Sequence, residues 1–192
     1  MPSLFHARPA EMRGGTLYPL NQLRVIHPDL YEHESGKYVG REAVLEFRIP
    51  LLDVLWNDTL HLSPIHPRHL AAAWHAVGLT SLMWDRDFYE IPGERVAGHR
   101  CVWFASQAFW VNNSPHEDVP LAPPEDEFSL FDPTRYEQLA GPPAAYHAYL
   151  RRQQERGQRA LQFPKIPHVL VAGPIDVTDL GLVRADGAIE SS

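Results

Sequence analysis

The sequence predicts an α+β fold, a single compact domain of residues 1–192 with a mixed, strongly twisted sheet and flanking helices. Short apolar runs typical of strands are interspersed with segments of helical spacing, without the regular strand–helix alternation of a parallel α/β fold. The chain has 192 residues, of which 44% are hydrophobic and 21% are charged, close to the averages of globular domains. That length is sufficient for one domain with a substantial hydrophobic core.

Several segments have the composition of strands. Residues 59–63 alternate, so Leu60 and Leu62 share one face while His61 and Ser63 share the other. Residues 168–172 form a continuous apolar run, which is typical of a buried strand. The predicted strands are residues 4–7, 59–63, 82–91, 100–105, 168–172 and 180–183.

Helices are predicted where apolar residues recur every three or four positions. Leu70, Trp74 and Val77 have this spacing in residues 67–77. Pro67 suits the first position of a helix, and Gly78 suits its end. The predicted helices are residues 17–26, 29–38, 67–77 and 146–161, while residues 41–48 fit a helix or a strand equally well.

Most of the net charge of −7 is concentrated in one stretch of the chain. Residues 114–140 carry seven acidic side chains against Arg135 alone, a local net charge of −6. Five prolines in the same stretch remove backbone hydrogen-bond donors, so we predict an acidic, Pro-rich loop at about residues 112–134. Such a loop is either a solvated surface segment or a lid or docking segment for a basic protein partner.

The sequence lacks any run of the roughly 18 apolar residues that a membrane-spanning helix requires. Its first residues also lack the apolar centre of a signal peptide. We therefore expect a cytoplasmic protein with no membrane partner. Cys101 is the single cysteine, which excludes an intramolecular disulfide and favours a buried thiol.

The densest polar cluster, residues 56–69, allows two kinds of chemistry. Asp58, His61, His66 and His69 are suitable metal ligands, but their spacing matches no known metal motif, so we predict no metal site. His61 and Ser63 instead form an H-x-S pair on one strand face, where an imidazole and a hydroxyl can transfer protons and hold a phosphate oxygen.

This H-x-S pair resembles the two-histidine phosphoesterases, in which two H-x-(S/T) strands face one groove. The second copy would be His168-Val169-Leu170, with leucine in place of the hydroxyl residue. The resemblance implies that His61 and His168 act as acid and base on a cyclic or 2′,5′-linked phosphate, which Ser63 contacts.

A second pattern follows the order of segments along the whole chain. His6 lies on the first predicted strand, and Arg48 precedes Ile49-Pro50. An apolar block at residues 52–56, the segment 60–67 and the late strand 167–171 follow. This order resembles the ADP-ribosyltransferase fold, particularly the DarT-type DNA ADP-ribosyltransferases.

The resemblance implies an NAD-dependent transferase, in which NAD is a substrate and its ADP-ribose moves to a base. By this resemblance His6 would contact ribose hydroxyls, Arg48 would pair with a phosphate, and His61 or His168 would transfer protons. The catalytic glutamate of the family falls where His168 stands, and a neutral imidazole does not simply replace a carboxylate. The resemblance therefore implies a site for a nucleotide-like small molecule. The catalytic glutamate of the family has no counterpart in this sequence.

Four arginines mark a further candidate surface on the predicted helix 146–161: Arg151, Arg152, Arg156 and Arg159. Planar guanidinium groups suit phosphate, and Tyr146 and Tyr149 beside them are able to stack on bases. The alternative is a solvated helix face. Because a net charge of −7 opposes general binding to duplex DNA, we expect any nucleic-acid contact to be local.

Overall fold

Strands from distant parts of the chain pair to form the framework of the protein. The computed structural model describes residues 2–108, 110, 120 and 122–186. The strands are β1 (Ser3–Ala7), β2 (Thr16–Leu17), β3 (Arg48–Ile49), β4 (Val54–Leu55), β5 (Thr59–Leu62), β6 (Asp87–Pro92), β7 (Cys101–Phe104), β8 (Phe128–Leu130), β9 (His168–Ala172), β10 (Ile175–Asp176) and β11 (Leu182–Arg184).

The strands form two larger sheets and two short ribbons. One sheet has the order β1-β6-β11, the other has the order β5-β9-β7-β8, and the ribbons are β2-β10 and β3-β4. Phe5 and Ser63 join the two larger sheets through reciprocal backbone hydrogen bonds of 2.8 Å. The α+β class is confirmed. The strand pairs in the described ranges are antiparallel, so two antiparallel sheets replace the single mixed sheet that we expected.

Helices cover the outer faces of these sheets. Their bounds are α1 (Leu20–Ile26), α2 (Pro28–Ser35), α3 (Ala43–Glu46), α4 (Pro67–His75), α5 (Gly93–Val96) and α6 (Ala144–Glu155). Helix α4 begins at Pro67 as predicted, and the side chain of His66 caps it by accepting the N–H of Arg68 at 3.1 Å. Helix α6 ends earlier than predicted, because Gly157 has a φ of 61° that an α-helix does not accommodate.

The predicted strand at residues 82–91 is shorter in the structure. Residues 82–91 begin with a 3₁₀ turn, Leu82–Asp85, in which the Ser81 hydroxyl accepts the N–H of Met83 at 3.2 Å. The strand β6 starts only after this turn, because Ser81 provides a local cap that competes with extended pairing.

The predicted acidic loop at residues 112–134 lies partly outside the described residues, which exclude 112–119 and 121. In its described part, Phe128–Leu130 form β8 instead of loop, and β8 pairs with β7 at the edge of the four-stranded sheet. Phe128 is buried, and its ring stacks on Phe104 with centroids 4.9 Å apart. Burial of this aromatic pair outweighs the local preference for a solvated loop.

The hydrophobic core has three parts separated by the two sheets. Leu4 and Ile91 of the three-stranded sheet pack against Leu62 and Val169 of the four-stranded sheet, and all four are fully buried. Helices α4 and α6 pack together with residues of β6 in a second cluster. The N-terminal helices cover the other face of the four-stranded sheet in the third cluster.

Tyr146 and Tyr149 of α6 are part of this core. The Tyr146 hydroxyl accepts the indole N–H of Trp74 at 2.6 Å and donates to the carbonyl of Gln162 at 2.7 Å. The Tyr149 hydroxyl accepts the N–H of Leu161 at 2.8 Å. Both rings are buried, so the expectation that they stack on bases is wrong.

Replacement of Tyr146 by Phe is expected to destabilise the protein by about 1–3 kcal/mol, because the buried Trp74 N–H and Gln162 carbonyl lose their shared partner. Chemical denaturation measures this free energy of unfolding. Tyr31→Phe is the matched control, because the half-buried Tyr31 hydroxyl makes no hydrogen bond within the described residues. Equal stability of the two variants would contradict the prediction.

Candidate functional site

A cavity of about 630 Å³ lies beside the joint between the two larger sheets. His6 on β1, His61 on β5 and His168 on β9 line it, together with Ser63. Much of the remaining wall is aromatic or aliphatic, including Trp56 and Phe163. Four of the five predicted site residues therefore line one cavity, and only Arg48 is absent from it.

The register of β5 and β9 places two of these histidines side by side. His61 pairs with Leu170, and His168 lies two residues before Leu170, so both imidazoles are on the same sheet face. Their ring centroids are 6.4 Å apart. The phosphoesterase hypothesis requires these histidines to face one another across a single cleft. Both line the same cavity, but they lie side by side on adjacent strands and not on opposite walls, so the hypothesis stays a prediction.

Backbone carbonyls determine which ring nitrogen carries the proton in two of the histidines. Nε2 of His61 lies 3.3 Å from the carbonyl oxygen of Trp56, and Nδ1 of His6 lies 2.8 Å from that of Ala7. Because a carbonyl only accepts hydrogen bonds, these nitrogens are the protonated ones. In its neutral form His61 therefore has a lone pair on Nδ1, and His6 has one on Nε2.

Enclosure by the cavity walls keeps the histidines uncharged. Burial, together with the smaller effect of the neighbouring His168, lowers the pKa of His61 from 6.5 to about 3. Burial likewise lowers the pKa of His6 and of His168 to about 4. At neutral pH the cavity floor therefore holds three neutral imidazoles. His6 and His61 offer a ligand only an acceptor nitrogen, because their N–H groups already donate to backbone carbonyls.

Ser63 lines the cavity, but its hydroxyl is engaged within a turn. The Oγ atom donates to the carbonyl of Ile65 and accepts the N–H of Ile65, both at 3.1 Å. Because its only proton is already donated, Ser63 is poorly placed to hold a phosphate oxygen.

Arg48 is not brought to the cavity, in contrast to the expected phosphate contact. Its strand, β3, pairs with β4 in a separate ribbon. The exposed guanidinium donates to the carbonyl of Asp53 at 2.7 Å and to its carboxylate at 3.1 Å. The tight turn between β3 and β4 brings these two residues together, and Arg48 does not belong to the cavity lining.

Several residues that line the cavity were not predicted from the sequence as site residues. The indole N–H of Trp56 and the amide nitrogen of Asn57 are buried and have no hydrogen-bond partner within the described residues. Ser106 is also buried at the cavity, with a φ of 56° that is unusual for serine. No local pattern signals these features, because each depends on neighbours that are remote in sequence.

The turn that contains Ser106 is held by an acidic residue of the Pro-rich stretch. The Glu127 carboxylate accepts the N–H of Gln107 at 2.8 Å and that of Ala108. Glu125 and Asp126 are exposed and free to face solvent. Docking of a basic protein partner on this stretch stays a prediction, but Glu127 has a structural role.

Three further findings bear on the type of site. Comparisons with models of known protein families, with curated proteins and with solved structures find no match to this chain. Within the described ranges, no group of three or more His, Cys, Asp or Glu side chains is arranged to hold a metal ion. No helix in the described part of the chain is long and apolar enough to cross a membrane.

The lowered pKa of His61 predicts a pH-dependent stability. Between pH 6.5 and about 3 the unfolded chain protonates this residue while the native state does not, so the free energy of unfolding falls as pH falls. His61→Gln is expected to reduce that slope by up to about 1.4 kcal/mol per pH unit, measured by denaturation at several pH values. His33→Gln, at an exposed histidine, is the control. An unchanged slope in His61→Gln would show that the imidazole is not buried in its neutral form.

Proposed function

We propose that the protein binds an ADP-ribose-bearing nucleotide in the histidine-lined cavity, with NAD as the first candidate substrate. The observation that carries this proposal is the meeting of three neutral histidines from three strands in one cavity of about 630 Å³. Cavities of roughly 300–1,000 Å³ are typical of small-molecule and cofactor sites. The position of His6 on β1 fits the ribose-contact role that the ADP-ribosyltransferase resemblance implies.

The charge of the cavity lining supports an anionic ligand. Among the described residues that line it, six are arginine or lysine and two are glutamate. The whole chain, by contrast, has a net charge of −7. A local excess of positive charge in an acidic protein attracts phosphate-bearing molecules to that position.

The histidines suit an uncharged, hydroxyl-rich group such as ribose. The lone pair of His6 Nε2 is able to accept a hydrogen bond from a ribose hydroxyl, and His61 Nδ1 supplies a further neutral acceptor. The lining glutamates are Glu11 and Glu34, and Glu34 pairs with Lys37 at 3.3 Å. In the resembled family a carboxylate stands at the position of His168. Because that carboxylate is absent here, we expect the protein to bind the nucleotide but to release nicotinamide slowly.

Isothermal titration calorimetry with NAD and with ADP-ribose tests this function. Both nucleotides are expected to bind, and His6→Ala is expected to weaken binding about tenfold, which corresponds to about 1.4 kcal/mol. Arg48→Ala is the control, because the Arg48 guanidinium binds Asp53 outside the cavity. Chromatography of the NAD reaction measures nicotinamide release in parallel.

Failure of both nucleotides to bind the folded wild-type protein would overturn the proposal. Equal losses in His6→Ala and Arg48→Ala would also contradict it, because the cavity would then not be the binding site. A thermal melt of each variant separates weak binding from loss of the fold.

A phosphoesterase is the second candidate, favoured by the 6.4 Å separation of His61 and His168 on one sheet face. The substrate would be a cyclic or 2′,5′-linked phosphate bound beside the two imidazoles. Because both are neutral in the empty cavity, the phosphate anion would have to raise the pKa of one of them, so that this imidazole takes a proton from solvent and acts as the acid while the other acts as the base. Ser63 is not expected to contribute, because its hydroxyl is bonded to Ile65.

Hydrolysis of 2′,3′-cyclic nucleotides and 2′,5′-linked dinucleotides measures this activity. His61→Asn and His168→Asn are each expected to reduce kcat by about 10²–10⁴-fold, while Ser63→Ala retains the wild-type rate. Absence of hydrolysis by the wild-type protein would remove this candidate and leave the nucleotide-binding proposal unaffected.

A further inference from the structure

Arg86 and Arg159 differ from the other cationic residues that line the cavity. The other four have polar or acidic partners: Arg8 pairs with Asp87, Arg13 with Asp29, Lys37 with Glu34, and Arg41 donates to the carbonyl of Lys37. Neither the Arg86 nor the Arg159 guanidinium has an ion pair or a side-chain hydrogen bond to any residue in the described ranges. Both side chains are exposed, which places them at the cavity mouth.

Two contacts bring the segments that carry these arginines together. The Gln162 amide donates to the Ser81 hydroxyl at 3.0 Å, and the rings of Trp84 and Phe163 meet edge-on with centroids 6.5 Å apart. Residues 81–86 and 159–163 therefore lie against each other. Arg86 and Arg159 therefore line the cavity from two segments that are in contact, although 73 positions separate them in the chain.

The segment 159–163, which begins at Arg159, is also anchored to α6. Tyr149 accepts the N–H of Leu161, and Tyr146 accepts a hydrogen bond from Trp74 while donating to the carbonyl of Gln162. On the other side, the N–H of Arg86 closes the 3₁₀ turn by donating to the carbonyl of Met83 at 3.4 Å. Both guanidinium groups thus extend from backbone that is held in place before any ligand arrives, which limits the entropy lost on binding.

We propose that Arg86 and Arg159 form the phosphate subsite of the cavity and that they hold a diphosphate group at its mouth. Planar guanidinium groups bind phosphate oxygens through paired charge-assisted hydrogen bonds. A diphosphate carries enough negative charge to engage both arginines. The identity of the ligand as ADP-ribose or NAD rests on the proposed function, whereas the phosphate subsite itself does not.

The chemistry of the cavity floor supports this orientation of the ligand. Charged groups are costly to bury without a partner, and the floor consists of neutral imidazoles and aromatic rings. An uncharged ribose or ring therefore fits the floor, while the phosphates remain near solvent between the two arginines. This arrangement assigns to Arg86 and Arg159 the phosphate contact that the ADP-ribosyltransferase resemblance implied for Arg48.

Calorimetry with four probes tests the subsite: ADP-ribose, ADP, inorganic pyrophosphate and adenosine. The double variant Arg86→Gln/Arg159→Gln is expected to lose about tenfold or more in affinity for the three phosphate-bearing probes, at constant ionic strength. Its affinity for adenosine is expected to stay within about twofold of the wild-type value.

The matched control is Arg151→Gln/Arg156→Gln, which removes the same charge from exposed positions of α6 and its end, outside the cavity lining. It is expected to bind all four probes as the wild-type protein does. Equal losses in both double variants would show general attraction to positive charge and would overturn the subsite.

The outcomes distinguish the subsite from the proposed function. If the Arg86→Gln/Arg159→Gln variant binds ADP-ribose as tightly as the wild-type protein does, the subsite is overturned and the function is kept. If the wild-type protein binds pyrophosphate but neither NAD nor ADP-ribose, and the variant loses pyrophosphate binding, the subsite is kept and the function is overturned. Failure of pyrophosphate, ADP and ADP-ribose to bind the wild-type protein overturns both.

Discussion

The antiparallel pairing of β5 with β9 is the constraint on which the cavity depends. Leu60 and Leu62 alternate with His61 along β5, and the leucines are buried between the two sheets. A shift of one residue in register would expose them and move the histidine of one strand to the opposite face. The burial of apolar side chains between the sheets therefore keeps His61 and His168 together on the cavity side.

The same packing creates a cavity whose floor and mouth differ in charge. Its walls partly bury the three imidazoles and lower their pKa values, so the floor is neutral. The arginines remain exposed at the mouth, where water stabilises their charge when the cavity is empty. A ligand with a polar neutral part and a charged phosphate part complements both regions.

Several features of the cavity are unfavourable for stability alone. The Trp56 and Asn57 donors lack partners within the described residues, and Ser106 has a left-handed backbone conformation. Such features occur where the surrounding structure holds them in place, and they are common at functional sites. Here Glu127 holds the turn next to Ser106, so part of the acidic stretch supports the cavity instead of remaining solvated.

The sequence by itself determined the α+β class, the strands that carry His6, His61 and His168, and the start of α4, because local periodicity and capping depend on neighbours in the chain. Only the tertiary structure decided which charged groups reach the cavity. Arg48 is excluded because β3 turns back on β4. Arg86 and Arg159 line the cavity from two segments that the contact between Gln162 and Ser81 holds together. Such contacts join residues remote in sequence, and no local pattern encodes them.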